Sequence, residues 1–281
     1  MYTNDMAAYL RPHRLDEALN ALARPHTVLA GGTDFYPARV GRAITEDVLD
    51  IGALAELRGI SADAGGWRLG ATTTWSELVE ADLPPLFDGL KQAAREIGGR
   101  QIQNAGTLAG NLCNASPAAD GMPCLLALGA EIDIASRRGR RRAPLGRFVT
   151  GVRRTDLAAD ELVLAIHVPR PRHEARSGFL KLGARRYLVI SIAMAAATLE
   201  VADGRVASAA IAVGACSPVA ERLPALEAAL AGATIDSRLP DLVEAAHLAP
   251  LAPVDDVRGS AAYRRDAALA LVRRLLARLA T

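Results

Sequence analysis

Cysteine is scarce in this sequence. Cys113, Cys124 and Cys216, scattered over 281 positions, are too few for a disulfide framework or a four-thiolate iron–sulfur cluster. Net charge is nearly absent too: 33 basic against 31 acidic residues leave +2, which gives no global field for nucleic acid or an anionic membrane. No apolar run reaches the roughly 18 uncharged residues that a membrane span requires. The longest, over 189–199, has the length of a buried strand or helix. The opening Met1-Tyr2-Thr3-Asn4-Asp5-Met6 lacks a basic start followed by an apolar core, so no signal peptide is expected and a reducing, cytoplasmic setting fits best. His13, His26, His167, His173 and His247 show no metal-ligand spacing, and no metal site is expected.

What is present is apolar bulk, 51% of the residues with only 4% aromatic, enough for a sizeable core built from Ala, Leu and Val. Leu15, Ala18, Leu19 and Leu22 repeat at helical spacing up to Pro25, and a strand follows over 27–30. A second extended stretch covers 48–51. A new region opens near Trp67, with helices expected over 86–97 and 123–128 and strands over 131–135 and 162–168. Pro169-Arg170-Pro171-Arg172-His173-Glu174 is proline-broken and charged, which suits a boundary or linker. Beyond it, strands are expected over 178–182, 190–201 and 206–215, with Asp203-Gly204 a hairpin signal between the last two. The final stretch, 261–280, puts Ala268, Leu271, Val272, Leu275, Leu276 and Leu279 on one helical face and arginines on the other. The order is that of an α+β chain in three parts: 1–60, 61–172 and 173–281.

Two segments carry candidate chemistry. In Leu29-Ala30-Gly31-Gly32-Thr33-Asp34-Phe35-Tyr36, consecutive glycines after a strand let the backbone curl so that several N–H groups converge on one anion, and Thr33 adds a hydroxyl. Taken alone, Gly-Gly-Thr-Asp also fits an ordinary tight turn. The second, residues 104–120, crowds small residues with amides, hydroxyls and one carboxylate and has no hydrophobic periodicity. It reads as a long polar loop leading into a helix after Asp120, and loops of this kind carry sites. Neither a Walker loop nor the Rossmann glycine pattern is present.

The two motifs together, Ala30-Gly31-Gly32-Thr33-Asp34 and Thr107-Leu108-Ala109-Gly110-Asn111 followed by Ala115-Ser116-Pro117-Ala118-Ala119-Asp120, resemble the FAD-binding subunit of the xanthine dehydrogenase and carbon monoxide dehydrogenase family. The likeness extends through Gly99-Arg100-Gln101-Ile102, residues 125–134, Phe179-Leu180-Lys181-Leu182-Gly183 and Arg185-Arg186-Tyr187-Leu188-Val189-Ile190-Ser191. It implies an FAD-binding fold of the vanillyl-alcohol oxidase/PCMH type with two α/β subdomains, plus a C-terminal domain of a small antiparallel sheet and helices. By the same resemblance, residues 29–36 would wrap the FAD diphosphate, and Thr107, Leu108, Ala109, Gly110 and Asn111 would line its other side and the ribityl chain. Asp120 would accept from a cofactor hydroxyl or an adenine-side group, Val163 would offer backbone contacts, Lys181 would lie near the flavin, and Tyr187 would sit on a loop beside the isoalloxazine. The resemblance further implies a molybdenum-cofactor large subunit and a [2Fe-2S] small subunit as partners, with NAD, a quinone or another acceptor receiving the electrons. An assembly subunit without FAD and a stand-alone flavin oxidoreductase are the other readings.

Two positions depart from the family pattern: Ala109 stands for the first of two glycines before Asn111, and Gln103 for an arginine. Arg137-Arg138-Gly139-Arg140-Arg141-Arg142 reads as a solvated hairpin tip rather than a nucleic-acid patch. Cys113 reads as a small buried thiol.

Overall fold

A computed structural model describes residues 7–281; the leader-free reading of Met1 to Met6 falls outside them. The first unit is a parallel sheet of β1 (Tyr9–Leu10), β2 (Thr27–Leu29) and β3 (Val48–Asp50), in the order β1-β3-β2. Between β1 and β2 runs α1 (Leu15–Ala21), whose Asp16 and Glu17 suit the positive end of the helix and which buries Ala18. Leu22, just past its end, is buried with it.

The second unit opens with β4 (Ile60–Asp63) and β5 (Gly66–Gly70). Five helices follow: α2 (Trp75–Glu80), α3 (Asp88–Glu96), α4 (Arg100–Ala105), α5 (Leu108–Asn114) and α6 (Gly121–Ala127). The chain returns through β6 (Glu131–Ser136), β7 (Gly139–Pro144), α7 (Leu145–Phe148), a ribbon of β8 (Val149–Gly151) and β9 (Arg154–Thr155), and β10 (Leu162–Pro169). The sheet order is β4-β5-β10-β6-β7, antiparallel throughout. Central β10 is almost wholly buried, which is why it reads as a continuous apolar run rather than an alternating one. Three of the five arginines in 137–142 are paired: Arg141 with Glu161 and Asp156 and Arg142 with Asp133 on edge strand β7, and Arg138 with Asp160 in the turn before it. β6 and β7 pair antiparallel up to Ser136 and Gly139, which leaves Arg137 and Arg138 at the turn, so the hairpin-tip expectation holds.

The third unit is an antiparallel sheet of β11 (Glu174–Leu182), β12 (Ala193–Ala202), β13 (Arg205–Gly214) and β14 (Glu221–Arg222), followed by α8 (Pro224–Leu230) and α9 (Ala261–Leu279). Asp203 (φ 51°) and Gly204 (φ 70°) both adopt the left-handed conformation that two-residue hairpins favour. Alternation along the strands splits the sheet between two cores. Phe179, Met194, Ala196 and Ala212 face the core of the first two units, while Ala193, Ala195, Leu199, Ile211 and Val213 face α8 and α9. Helix α3 crosses β11 so closely that a Cβ on Gly89 would lie 2.9 Å from the Gly178 backbone, and the Gly89 N–H donates to Ser177 Oγ.

Three expectations need correction. Residues 104–120 are not a continuous loop: Thr107 caps α5, its hydroxyl accepting from Gly110 N. Small residues hid this helix because they leave no apolar stripe to read. β12 begins at Ala193 rather than 190: just before it, the Ser191 hydroxyl bonds Asp120 and the Ile192 carbonyl accepts from Arg264, while Ile192 N–H reaches Leu182 O. The arginine face of α9 is broken by Arg264, which is buried.

Candidate cofactor site

β2 ends at Leu29 and the chain turns through Ala30-Gly31-Gly32-Thr33 onto the end of α4. Contact there is backbone on backbone: a Cβ at Gly31 would lie 1.9 Å from the Ala105 carbonyl oxygen. Gly32 has φ 72°, and a Cβ there would meet the Tyr36 ring at 2.7 Å, so both positions require glycine for physical reasons. The two motifs, some 75 residues apart in sequence, thus become opposite walls of one cleft.

That cleft encloses about 560 Å³, within the range of roughly 300–1,000 Å³ usual for ligand sites. Leu29, Ala30, Gly31, Gly32, Thr33, Asp34 and Phe35 line one wall; Thr107, Ala109, Gly110 and Asn111 line the other, with Val163 on β10 at its floor. Two expected residues of these motifs do not line it. Leu108 is fully buried in the core, and the Tyr36 ring stands edge-on to Phe35 with centroids 5.1 Å apart. Ala109 contacts the cleft without blocking it. Gln103 is buried and satisfied internally, its amide nitrogen donating to Arg95 O and Ile97 O, each at 3.1 Å. The side-chain oxygen Oδ1 of Asn111 is buried and has no protein donor.

Further lining residues escaped the sequence reading. Trp75, Ile97, Ile102 and Leu157 supply apolar surface, and Cys113, expected to be buried, is an exposed thiol on the wall. Arg39 also lines the cleft: its guanidinium carbon lies 3.8 Å from the Phe35 ring centroid, and it pairs with Glu46. An aromatic followed four residues later by a cation was the available signal.

Asp120 and Lys181 meet at a node beside the cleft, and Tyr187 lies on the loop that this node holds. The Lys181 ammonium sits 2.8 Å from one Asp120 oxygen, Ser191 Oγ donates to the other at 2.5 Å, and both charged groups are buried. Burial pushes the Asp120 carboxyl upward, and the nearby ammonium opposes that push. With its oxygens so engaged, Asp120 does not cap α6 and does not line the cleft. Lys181 donates also to Val189 O at 3.3 Å, in the loop over 183–192. Tyr187 and Leu188 of that loop lie against Gly99, where a Cβ would be 4.0 Å from Tyr187 Oη and 3.6 Å from Leu188 Cδ2.

Comparison with known proteins agrees with this layout. The model of the family described as "FAD binding domain in molybdopterin dehydrogenase" matches residues 4–171, and that described as "CO dehydrogenase flavoprotein C-terminal domain" matches residues 179–279. This chain belongs to the FAD-binding medium subunits of the molybdenum hydroxylases. It is 32% identical over 266 residues to the xanthine dehydrogenase FAD-binding subunit of Escherichia coli O157:H7, covering 92% of this chain and 91% of that one. Among solved structures, reconstituted CO dehydrogenase from Oligotropha carboxidovorans superposes with a TM-score of 0.89 at 26% identity, covering 100% of this chain and 99% of that one. Quinoline 2-oxidoreductase from Pseudomonas putida 86 gives 0.88 at 28% identity, covering 98% and 96%. The medium-subunit fold is therefore the one described above, and FAD is the cofactor of this family. The cleft residues fit it: Gly31 and Gly32 let the turn close on Ala105 and Tyr36 so that backbone rather than side chain faces the cleft, and the buried Asn111 Oδ1 has no protein donor. Among the described residues no helix is long and apolar enough to cross a membrane.

Proposed function

We propose that this chain is the electron-carrying flavin subunit of a molybdenum hydroxylase, working with a molybdenum-cofactor large subunit and a [2Fe-2S] small subunit. The observation that carries this reading is the meeting of the two motifs across a single cleft, with Gly31 seated on the Ala105 carbonyl. Bound there, FAD supplies the one- and two-electron redox capacity that connects an iron–sulfur donor to NAD, a quinone or another acceptor.

The chain's own residues bind and orient. Leu29 to Phe35 form the strand-to-turn segment whose backbone N–H groups and Thr33 hydroxyl hold the diphosphate, while Tyr36 closes the turn through its N–H on Gly32 O. Thr107, Ala109, Gly110 and Asn111 close on it from the other side, Asn111 accepting from a cofactor hydroxyl, and Val163 adds backbone contact. Trp75, Ile97, Ile102 and Leu157 keep water from the cleft. Leu108 contributes by anchoring α5 in the core. Asp120 and Lys181 hold the loop that brings Tyr187 beside the flavin end. No general base or nucleophile is assigned, since substrate oxidation belongs to the large subunit.

The test is a visible absorption spectrum of the purified chain after incubation with FAD and desalting. Retained flavin bands are expected; a folded but colourless protein would overturn the reading.

A further inference from the structure

Arg264 is the anomaly of α9. Its neighbours on the buried face are Ala268, Leu271, Val272 and Leu275, yet this position carries a guanidinium only 4% exposed. Nη1 donates to Ile192 O at 2.6 Å and Ala215 O at 2.9 Å, Nη2 donates to Asp256 Oδ1 at 2.6 Å, and Nε has no partner. A cation buried this deeply is costly to desolvate, and an apolar residue of similar volume would fill a helix-packing position at least as well. Packing alone therefore does not account for it.

Its two backbone acceptors share a feature. Ile192 follows Ser191, whose hydroxyl donates to Asp120. Ala215, in the left-handed conformation with φ 60°, donates its own N–H to Pro117 O at 3.0 Å. Both lines of contact end on the segment between α5 and α6, the last part of the second motif. The loop over 183–192 has little packing of its own: Tyr187 and Ile190 are 53% and 54% exposed, and Leu188 is in the left-handed region at φ 51°. It is fixed at its C-terminal end, where Lys181 takes Val189 O, Asp120 takes Ser191 and Arg264 takes Ile192.

We infer that Arg264 is a positioning residue, which acts from the C-terminal helix to seat the 183–192 loop beside the cofactor cleft. Its relevance to FAD rests on the function proposed above; its action on the loop does not. Loss of the guanidinium leaves the Ile192 and Ala215 carbonyls without their donor, so that Ile192 is held only through its N–H on Leu182 O. Ser191 is then less firmly placed on Asp120, and Tyr187 and Leu188 lift from Gly99.

Two arginines in the loop, Arg185 and Arg186, make this measurable with trypsin on the full-length chain, with and without FAD. In Arg264→Met, cleavage after Arg185 and Arg186 should accelerate about tenfold, as expected when local opening becomes easier, and FAD should bind about tenfold more weakly. Cleavage after Arg137 and Arg138, at the distant hairpin tip, should stay unchanged. Arg264→Lys keeps the charge but not the fork of donors; it should show the same pattern more weakly, and it carries the test if Arg264→Met does not fold. Unchanged loop cleavage, or an equal rise at Arg137 and Arg138, would overturn the inference. Selective loop cleavage in a chain that never binds FAD would support it while removing the proposed function; FAD binding with an unaltered loop would do the reverse.

Discussion

The cleft and the node beside it solve opposite problems within one site. The cleft is open and lined mainly by glycine, alanine and apolar side chains; Asp34 and Arg39 are the charged residues on its wall. The node packs a carboxylate, an ammonium and a hydroxyl together with both charges buried. Backbone N–H groups can hold an anion without bulk, so cofactor contact there depends on what the side chains leave out. At the node the outcome depends on which side chains are present, because a buried ion pair tolerates the loss of neither partner. A substitution should therefore act by intrusion in the cleft and by abandonment at the node.

The largest effect should come from breaking the node. Asp120→Asn leaves the Lys181 ammonium buried without its counter-charge and should lower stability by about 3–5 kcal/mol. Urea unfolding measures this directly, and a loss below about 1 kcal/mol would mean the pair behaves like a surface contact. Intrusion comes next. Gly31→Val drives a side chain into the Ala105 carbonyl, which should force the two cleft walls apart, cost about 1–3 kcal/mol as overpacking does and abolish flavin retention. Full retention after desalting would place the diphosphate elsewhere.

The smallest effect separates the node from a peripheral pair. Hydrogen bonds from the Arg141 guanidinium hold the Glu161 carboxyl below its usual range. A lowered folded pKa contributes stability that is fully present above the unfolded value, near 4.5, and is lost as pH falls through the folded value. The melting temperature should accordingly drop as pH falls below about 4.5, and Glu161→Gln should flatten part of that slope. An unchanged slope would show that other carboxylates govern the acid limb.

Much of this was legible because it is local. The glycines of the first motif, the Asp203-Gly204 hairpin and the apolar face of α9 follow from residue type and spacing. The node was legible only as separate residues. Asp120 and Lys181 could be named, but that each is the other's partner depends on the segment just before α6 reaching β11, which no spacing reveals. The cleft's apolar lining was missed for the same reason, since Trp75, Ile97 and Leu157 lie outside both motifs and Ile102 lies in a stretch that carried the resemblance without a role of its own. Residues 104–120 misled because a short helix of small residues has no periodicity to detect. Arg264 gave no warning, since an arginine on an arginine-rich helix looks solvated.

The crossing of Gly89 on Gly178 limits how relatives of this chain could be recombined. A graft at the proline-broken segment over 169–174 looks natural from sequence, yet it would separate two backbones that meet with no side chain between them. It would also part Asp120 from Lys181 and Ser191. A donor C-terminal half would have to bring glycine at 178, serine at 177 and the matching cation, or the recipient's α3 would have nowhere to lie. Exchange across this joint should therefore succeed between chains that share that small set of residues, even when their overall identity is low.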